Sequence, residues 1–74
     1  MSEVTAGGES VSATVIAFDV HVGLGTVRLD DGAEVPFHCA EIADGSRLIE
    51  VGTRVSCTVR PKFGRPEAFG LVSL

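Results

Sequence analysis

Two alternating runs of apolar and polar residues flank Asp30-Asp31-Gly32. This hairpin constrains what the chain can fold into more than any other feature. An Asp-Gly pair between strands accepts the positive φ angles that a tight hairpin turn needs. Before it, Leu24–Leu29 reads as a strand. After it, Glu34–His38 reads as another, with Val35 and Phe37 facing a core and Glu34, Pro36 and His38 facing out.

The rest of the chain extends the same pattern. Val11, Ala13, Val15 and Ala17 alternate with Ser12, Thr14, Ile16 and Phe18, a period of two rich in β-branched residues. Asp19–Gly23 reads as a turn. Ala40–Val51 is a long connection containing Asp44-Gly45-Ser46, with Ile42 and Leu48 expected to pin it to the core. A fourth strand is expected over Arg54–Arg60, with Val55, Cys57 and Val59 on one face. Pro61–Pro66 reads as a loop set by two prolines and a glycine. A last strand is expected over Glu67–Val72. No segment keeps a helical period. Residues 1–10, with Gly7-Gly8, read as a flexible tail and residues 11–74 as the domain. Five short strands with one long connection after the third predict a small, closed, all-β barrel, which also removes exposed sheet edges.

Length and charge narrow the function. A chain of 74 residues is one domain with a small core. Two cysteines are too few for a secreted disulfide framework. No apolar stretch approaches the ~20 residues of a membrane span. The opening MSEVTAGGES has neither a basic region nor an apolar run, so no signal peptide is read there and a cytoplasmic location is expected. The net charge of −4 is unevenly spread. Residues 1–50 hold nine acids and two bases, whereas residues 51–74 hold four bases and one acid. The acidic total argues against a general phosphate binder; the basic C-terminal part hints at a partner.

Enzyme-like readings fail on spacing. His21, His38, Cys39 and Cys57 show no C-x-x-C or H-x-x-x-H arrangement, so no metal site is expected. His38 and Cys39 are adjacent in a strand and point to opposite faces, which disfavours a Cys–His nucleophile. Gly23-Leu24-Gly25 precedes no helix and is not a phosphate loop. No catalytic residue and no cofactor are expected.

The chain from about Ala13 to Leu74 resembles a cold-shock domain, a five-stranded antiparallel OB-fold barrel that binds single-stranded RNA and DNA. The family's K-G-F-G-F-[IV] stands here as Val22-Gly23-Leu24-Gly25-Thr26-Val27, and its V-F-V-H as Val35-Pro36-Phe37-His38. Its first strand, G-x-V-K-W-F-N, is matched by Ala13–Asp19. Its G-P-x-A-x-x-V ending is matched by Arg65–Leu71. Barrel-building positions are kept in kind as Val15, Val27, Val35, Phe37, Ile42, Val55 and Val59. The family's aromatic positions hold Ala17, Leu24, Thr26, Pro36 and Cys39, and its flanking lysines are replaced by Ile16 and Val22.

The resemblance implies a non-catalytic domain that binds single-stranded RNA or DNA, and the substitutions imply that it does so weakly. Each exposed ring that stacks on a base contributes about 1–3 kcal/mol, so losing several costs orders of magnitude in affinity. Asp30, Asp31 and Glu34 would further repel phosphate. The expected contact residues are Phe18, Leu24, Thr26, Pro36 and His38. Phe18 is read either as a stacking ring or as a ring partly buried at the barrel edge. His38 is read either as a base contact or as an ordinary half-exposed strand residue. Arg60, Lys62, Phe63 and Arg65 interleave basic groups with a ring and form a second expected contact, unless Phe63 folds back on the barrel. The alternative is a protein-interaction or self-association module, giving a homodimer or a hetero-partner complex. It would use an apolar patch of Ile16, Ala17, Phe18, Val22, Leu24 and Pro36.

Overall fold

The structure is a computed structural model that describes residues 10–46 and 48–74. The segment read as a tail lies outside the described residues except for Ser10, which already belongs to the first strand. The strands are β1 (Ser10–Asp19), β2 (Leu24–Leu29), β3 (Glu34–His38), β4 (Arg54–Lys62) and β5 (Arg65–Ser73), with a 3-10 turn η1 (Cys39–Glu41) after β3. All ladders are antiparallel, and the sheet order is β3-β2-β1-β4-β5.

The sheet is rolled into a barrel, and its seam is held by few backbone bonds. No ladder joins β3 to β5 among the described residues, although the two strands lie side by side. The chain just after β3 does the closing. Ile42 forms a parallel bridge with Leu71, the Ala43 N–H donates to the Leu71 carbonyl at 2.8 Å, and the Gly70 N–H donates to Glu41 Oε1 at 3.1 Å. These bonds satisfy part of an edge that would otherwise be left unpaired.

The core is the inner face of the barrel. Ala13, Val15, Val27, Val35, Phe37, Ile42, Val55, Cys57, Ala68 and Leu71 are buried, and among the described residues no charged or polar residue is buried with them. Their alternation follows from strand geometry, in which successive side chains take opposite faces. Ile42 is pinned as expected. Leu48 is not: it is 57% exposed, and Ile49 packs against the core instead.

A bulge corrects the reading of β1. The pairing steps from Val15↔Val27 to Ala17↔Thr26, which gives Ile16 no partner of its own. An extra residue reverses the alternation beyond it. Ala17 is therefore exposed, and Phe18 turns inward opposite Gly25. The Phe18 and Phe37 rings are parallel within 7°, their centroids 5.9 Å apart. Gly25 makes this possible. A Cβ there would lie 2.5 Å from the Phe37 ring and 2.7 Å from the Ala17 carbonyl oxygen, too close for any side chain. The second motif glycine is thus required by a ring packed against bare backbone.

Pro61–Pro66 is not a loop. β4 and β5 continue through Pro61↔Pro66 and Lys62↔Arg65, and only Phe63 and Gly64 turn the chain. Both have positive φ, 53° and 81°, the mark of a two-residue type I′ turn. Proline is tolerated here because antiparallel pairs alternate between bonded and non-bonded. With Lys62↔Arg65 closing the turn, the two prolines fall on a non-bonded pair and remove no ladder bond.

Candidate nucleic-acid interface

Register builds the outer face of β1–β2–β3. Leu24 lies opposite His38 and Thr26 opposite Pro36; on the other side, Leu24 pairs with Asp19 and Thr26 with Ala17. Directly opposed residues on one face lie within side-chain reach. Leu24, Thr26, Pro36 and His38 therefore form a compact block two rows deep. Beside it is a shallow open depression of about 370 Å³, lined by Ala17, Phe18, Leu24, Thr26 and Pro36. Phe18 borders this face with what its packing on Phe37 leaves uncovered, and does not stand free upon it.

His38 is exposed and held in place. Its Nδ1 accepts the Ala40 N–H at 3.0 Å and so caps η1. A nitrogen that accepts carries no proton, so the neutral ring is protonated on Nε2 and offers that N–H outward. Cys39, next in sequence, is half-buried, and its Sγ would lie 2.8 Å from a Cβ at Gly23. The His38 ring is thus engaged with η1, while the Cys39 side chain lies against Gly23. Burial pushes the Cys57 thiol up. Among the described residues no group of three or more His, Cys, Asp or Glu could hold a metal ion.

The second set of expected contacts comes together on one hairpin. Arg60 and Lys62 end β4, Phe63 occupies the turn and Arg65 opens β5. Phe63 is 96% exposed and does not fold back on the barrel. Lys62 Nζ lies 3.7 Å from Glu67 Oε2. The Arg60 guanidinium stacks over the Phe69 ring, 4.6 Å from its centroid. Phe69 is a residue the sequence reading did not single out. The usable signal was the alternation about Ala68, which turns inward and leaves Glu67 and Phe69 facing out.

The acidic cluster is less repulsive than its sequence suggests. Arg54 grips Asp30 with two hydrogen bonds of 2.6 and 3.1 Å and also donates to Thr14 Oγ1. The bond from Arg54 holds the Asp30 carboxyl below its ordinary value. Arg28 pairs with Glu34 at 2.9 Å. Asp31 spends one oxygen on the Ala33 N–H within the turn. Two of the three acids are thus locally neutralised, which shortens the reach of their field.

Five antiparallel strands in this order, rolled about one apolar core, make this a cold-shock-type OB fold. Among solved structures the chain is similar to one described as drosophila Unr CSD456, with 27% identity and a TM-score of 0.77. The match covers 93% of this chain and 28% of that one, so the chain spans well under a third of the longer protein. No protein-family model matches the chain, and no curated protein matches it. The cold-shock domain is in general a non-enzymatic nucleic-acid-binding fold. No helix among the described residues is long and apolar enough to cross a membrane.

Proposed function

We propose that this domain binds single-stranded RNA or DNA weakly and without catalysis, in the cytoplasm, where its two free thiols stay reduced. The observation that carries the reading is the outward-facing block of Leu24, Thr26, Pro36 and His38 beside its shallow depression, on a fold of the cold-shock type. Each of these residues has a role. Leu24 and Pro36 offer flat apolar area to a base. Thr26 and the His38 Nε2–H supply hydrogen bonds, and the uncovered part of Phe18 closes one side. Arg60, Lys62 and Arg65 take phosphates, and Phe63 offers a free ring. Binding is weak because the block contains one imidazole and no exposed benzene ring, and aliphatic groups give less stacking energy than rings.

The test is a titration of labelled oligothymidine and oligo-RNA at two salt concentrations; the label is needed because the chain has no Trp and no Tyr. Salt-sensitive binding on the order of micromolar is the expected result. No uptake at any salt overturns the reading. A second reading is favoured by one specific observation: Val20, Val22 and Leu24 are each more than half exposed at one end of the same face. Such a patch suits a protein partner or a second copy of the chain. Dimerisation in sedimentation, together with no oligonucleotide uptake, would select it.

A further inference from the structure

We propose that base stacking in this barrel has moved across the seam, onto a shelf that Phe69 and Arg60 form on the outer face of β4–β5. The inference rests on the nucleic-acid reading above and adds a specific path for the strand. Thr58 lies opposite Phe69 and Arg60 opposite Glu67, while the intervening pair, Val59 and Ala68, points into the barrel. Phe69 is half-buried by this arrangement and its ring is covered by the Arg60 guanidinium at 4.6 Å. Arg60 is exposed. A guanidinium over a ring has one side on the aromatic, and the exposure of Arg60 leaves its other side to solvent. A flat guanidinium is itself a platform on which an unstacked base can lie.

Charge supplies the second argument. Lys62 is engaged with Glu67, but Arg60 and Arg65 make no ion pair among the described residues. They lie in the one part of the sequence where bases outnumber acids. A shelf that combines planar stacking groups with unpaired cations matches a nucleotide, which presents a base and a phosphate together. An acidic peptide would use the cations and leave the planes idle.

The topology puts the shelf on the strand next to the face already described. β5 lies beside β3, and the Ile42–Leu71 bridge sets the chain after β3 parallel to it. Pro36 and His38 face outward from β3, Glu67 and Phe69 face outward from β5 with Arg60 one strand further on, and the two sets flank the same seam. A single strand that starts on Leu24 and His38 runs on to Phe69–Arg60, and Arg65 meets its phosphates. The rings missing from β1, β2 and β3 are in this way partly replaced on β5.

The test uses the whole chain and fluorescein-labelled oligothymidine at low salt. Arg60→Lys keeps the charge and removes the plane; Phe69→Leu keeps apolar bulk and removes the ring. Each is expected to weaken binding about fivefold. An oligonucleotide carrying 5-bromouracil is expected to cross-link to the β5 peptide that contains Phe69. If the wild type binds and His38→Ala weakens binding, but Arg60→Lys and Phe69→Leu leave affinity unchanged and no cross-link reaches β5, the shelf is wrong and the nucleic-acid reading stands. If the wild type takes up no oligonucleotide, both fall. Thermal melts accompany every variant. Should Phe69→Leu unfold the barrel, Arg60→Lys decides the matter, because its exposed side chain can change without disturbing the core.

Discussion

The two hairpins of this barrel solve the same problem in opposite ways. In β2–β3 the connection is Asp30-Asp31-Gly32: the Gly32 N–H donates to the Leu29 carbonyl at 2.8 Å and the Leu29 N–H to the Ala33 carbonyl at 2.7 Å. Only Gly32 has positive φ, so this is a three-residue loop, a type I turn ending in a left-handed glycine. In β4–β5 the two-residue turn puts Phe63 itself in the left-handed region. The first hairpin places well-suited residues in its turn and packs its inner face tightly, while its outer face pairs its only cation with an acid, Arg28 with Glu34, and carries no aromatic ring but the His38 imidazole. The second accepts a poor turn residue and carries rings and cations outward. A non-glycine residue in that backbone region costs about 1–2 kcal/mol, and a ring 96% exposed gains nothing from burial to offset it. The first hairpin is thus organised for stability, and the second carries features that stability alone does not explain.

Substitutions at their glycines and turns test that contrast. The largest effect is expected at Gly25→Ala. The new methyl has no space between the Phe37 ring and the Ala17 carbonyl, so denaturant unfolding should show a loss of about 3 kcal/mol. An unchanged midpoint would mean that the inner face of β2–β3 is slack. Gly64→Ala is expected to cost less, about 1 kcal/mol, because nothing lies within 4 Å of an added methyl and only the left-handed backbone resists it.

Phe63→Asn should go the other way. Asparagine suits the first position of a type I′ turn, so stability is expected to rise by about 0.5 kcal/mol. Oligonucleotide affinity is expected to fall in the same variant by about fivefold. A rise in stability with no change in affinity would show that the exposed ring has no part in binding. The smallest effect concerns the Arg54–Asp30 pair, whose side chains are about half exposed to solvent. Arg54 holds the Asp30 carboxyl below its ordinary 3.8. A carboxylate whose folded pKa is depressed adds stability above its unfolded pKa and loses it as pH falls through the folded value. Wild type is therefore expected to hold a small advantage over Arg54→Met near neutral pH, and to lose it in acid below 3.8. Equal acid-unfolding curves would show the pair to be worthless, as many exposed pairs are.

Alternation alone determined most of the barrel. Val27, Val35, Phe37, Val55 and Cys57 are buried as a period of two requires, and the second and third strands lie where their pattern placed them. This worked because burial on one sheet face forces a regular repeat that can be read locally. The outward-facing positions of Leu24, Thr26, Pro36 and His38 follow from the same rule. Ion pairs were less legible: Arg54 and Asp30 are 24 residues apart, and only the pairing of Thr14 with both β2 and β4 brings their strands together.

What the tertiary structure alone decided is where that regularity breaks. The bulge at Ile16 exchanged Ala17 for Phe18 on the inner face, because one extra residue reverses parity and the Phe37 ring needed a partner over Gly25. The prolines at 61 and 66 read as loop markers until their cross-strand pairing showed that neither owes the ladder a hydrogen bond. The seam, too, depends on contacts between segments far apart in sequence, with Ile42 and Ala43 bonded to Leu71. Local pattern specifies which side chains a strand buries. Only closure of the barrel specifies which strands become neighbours, and so brings β3 beside β5.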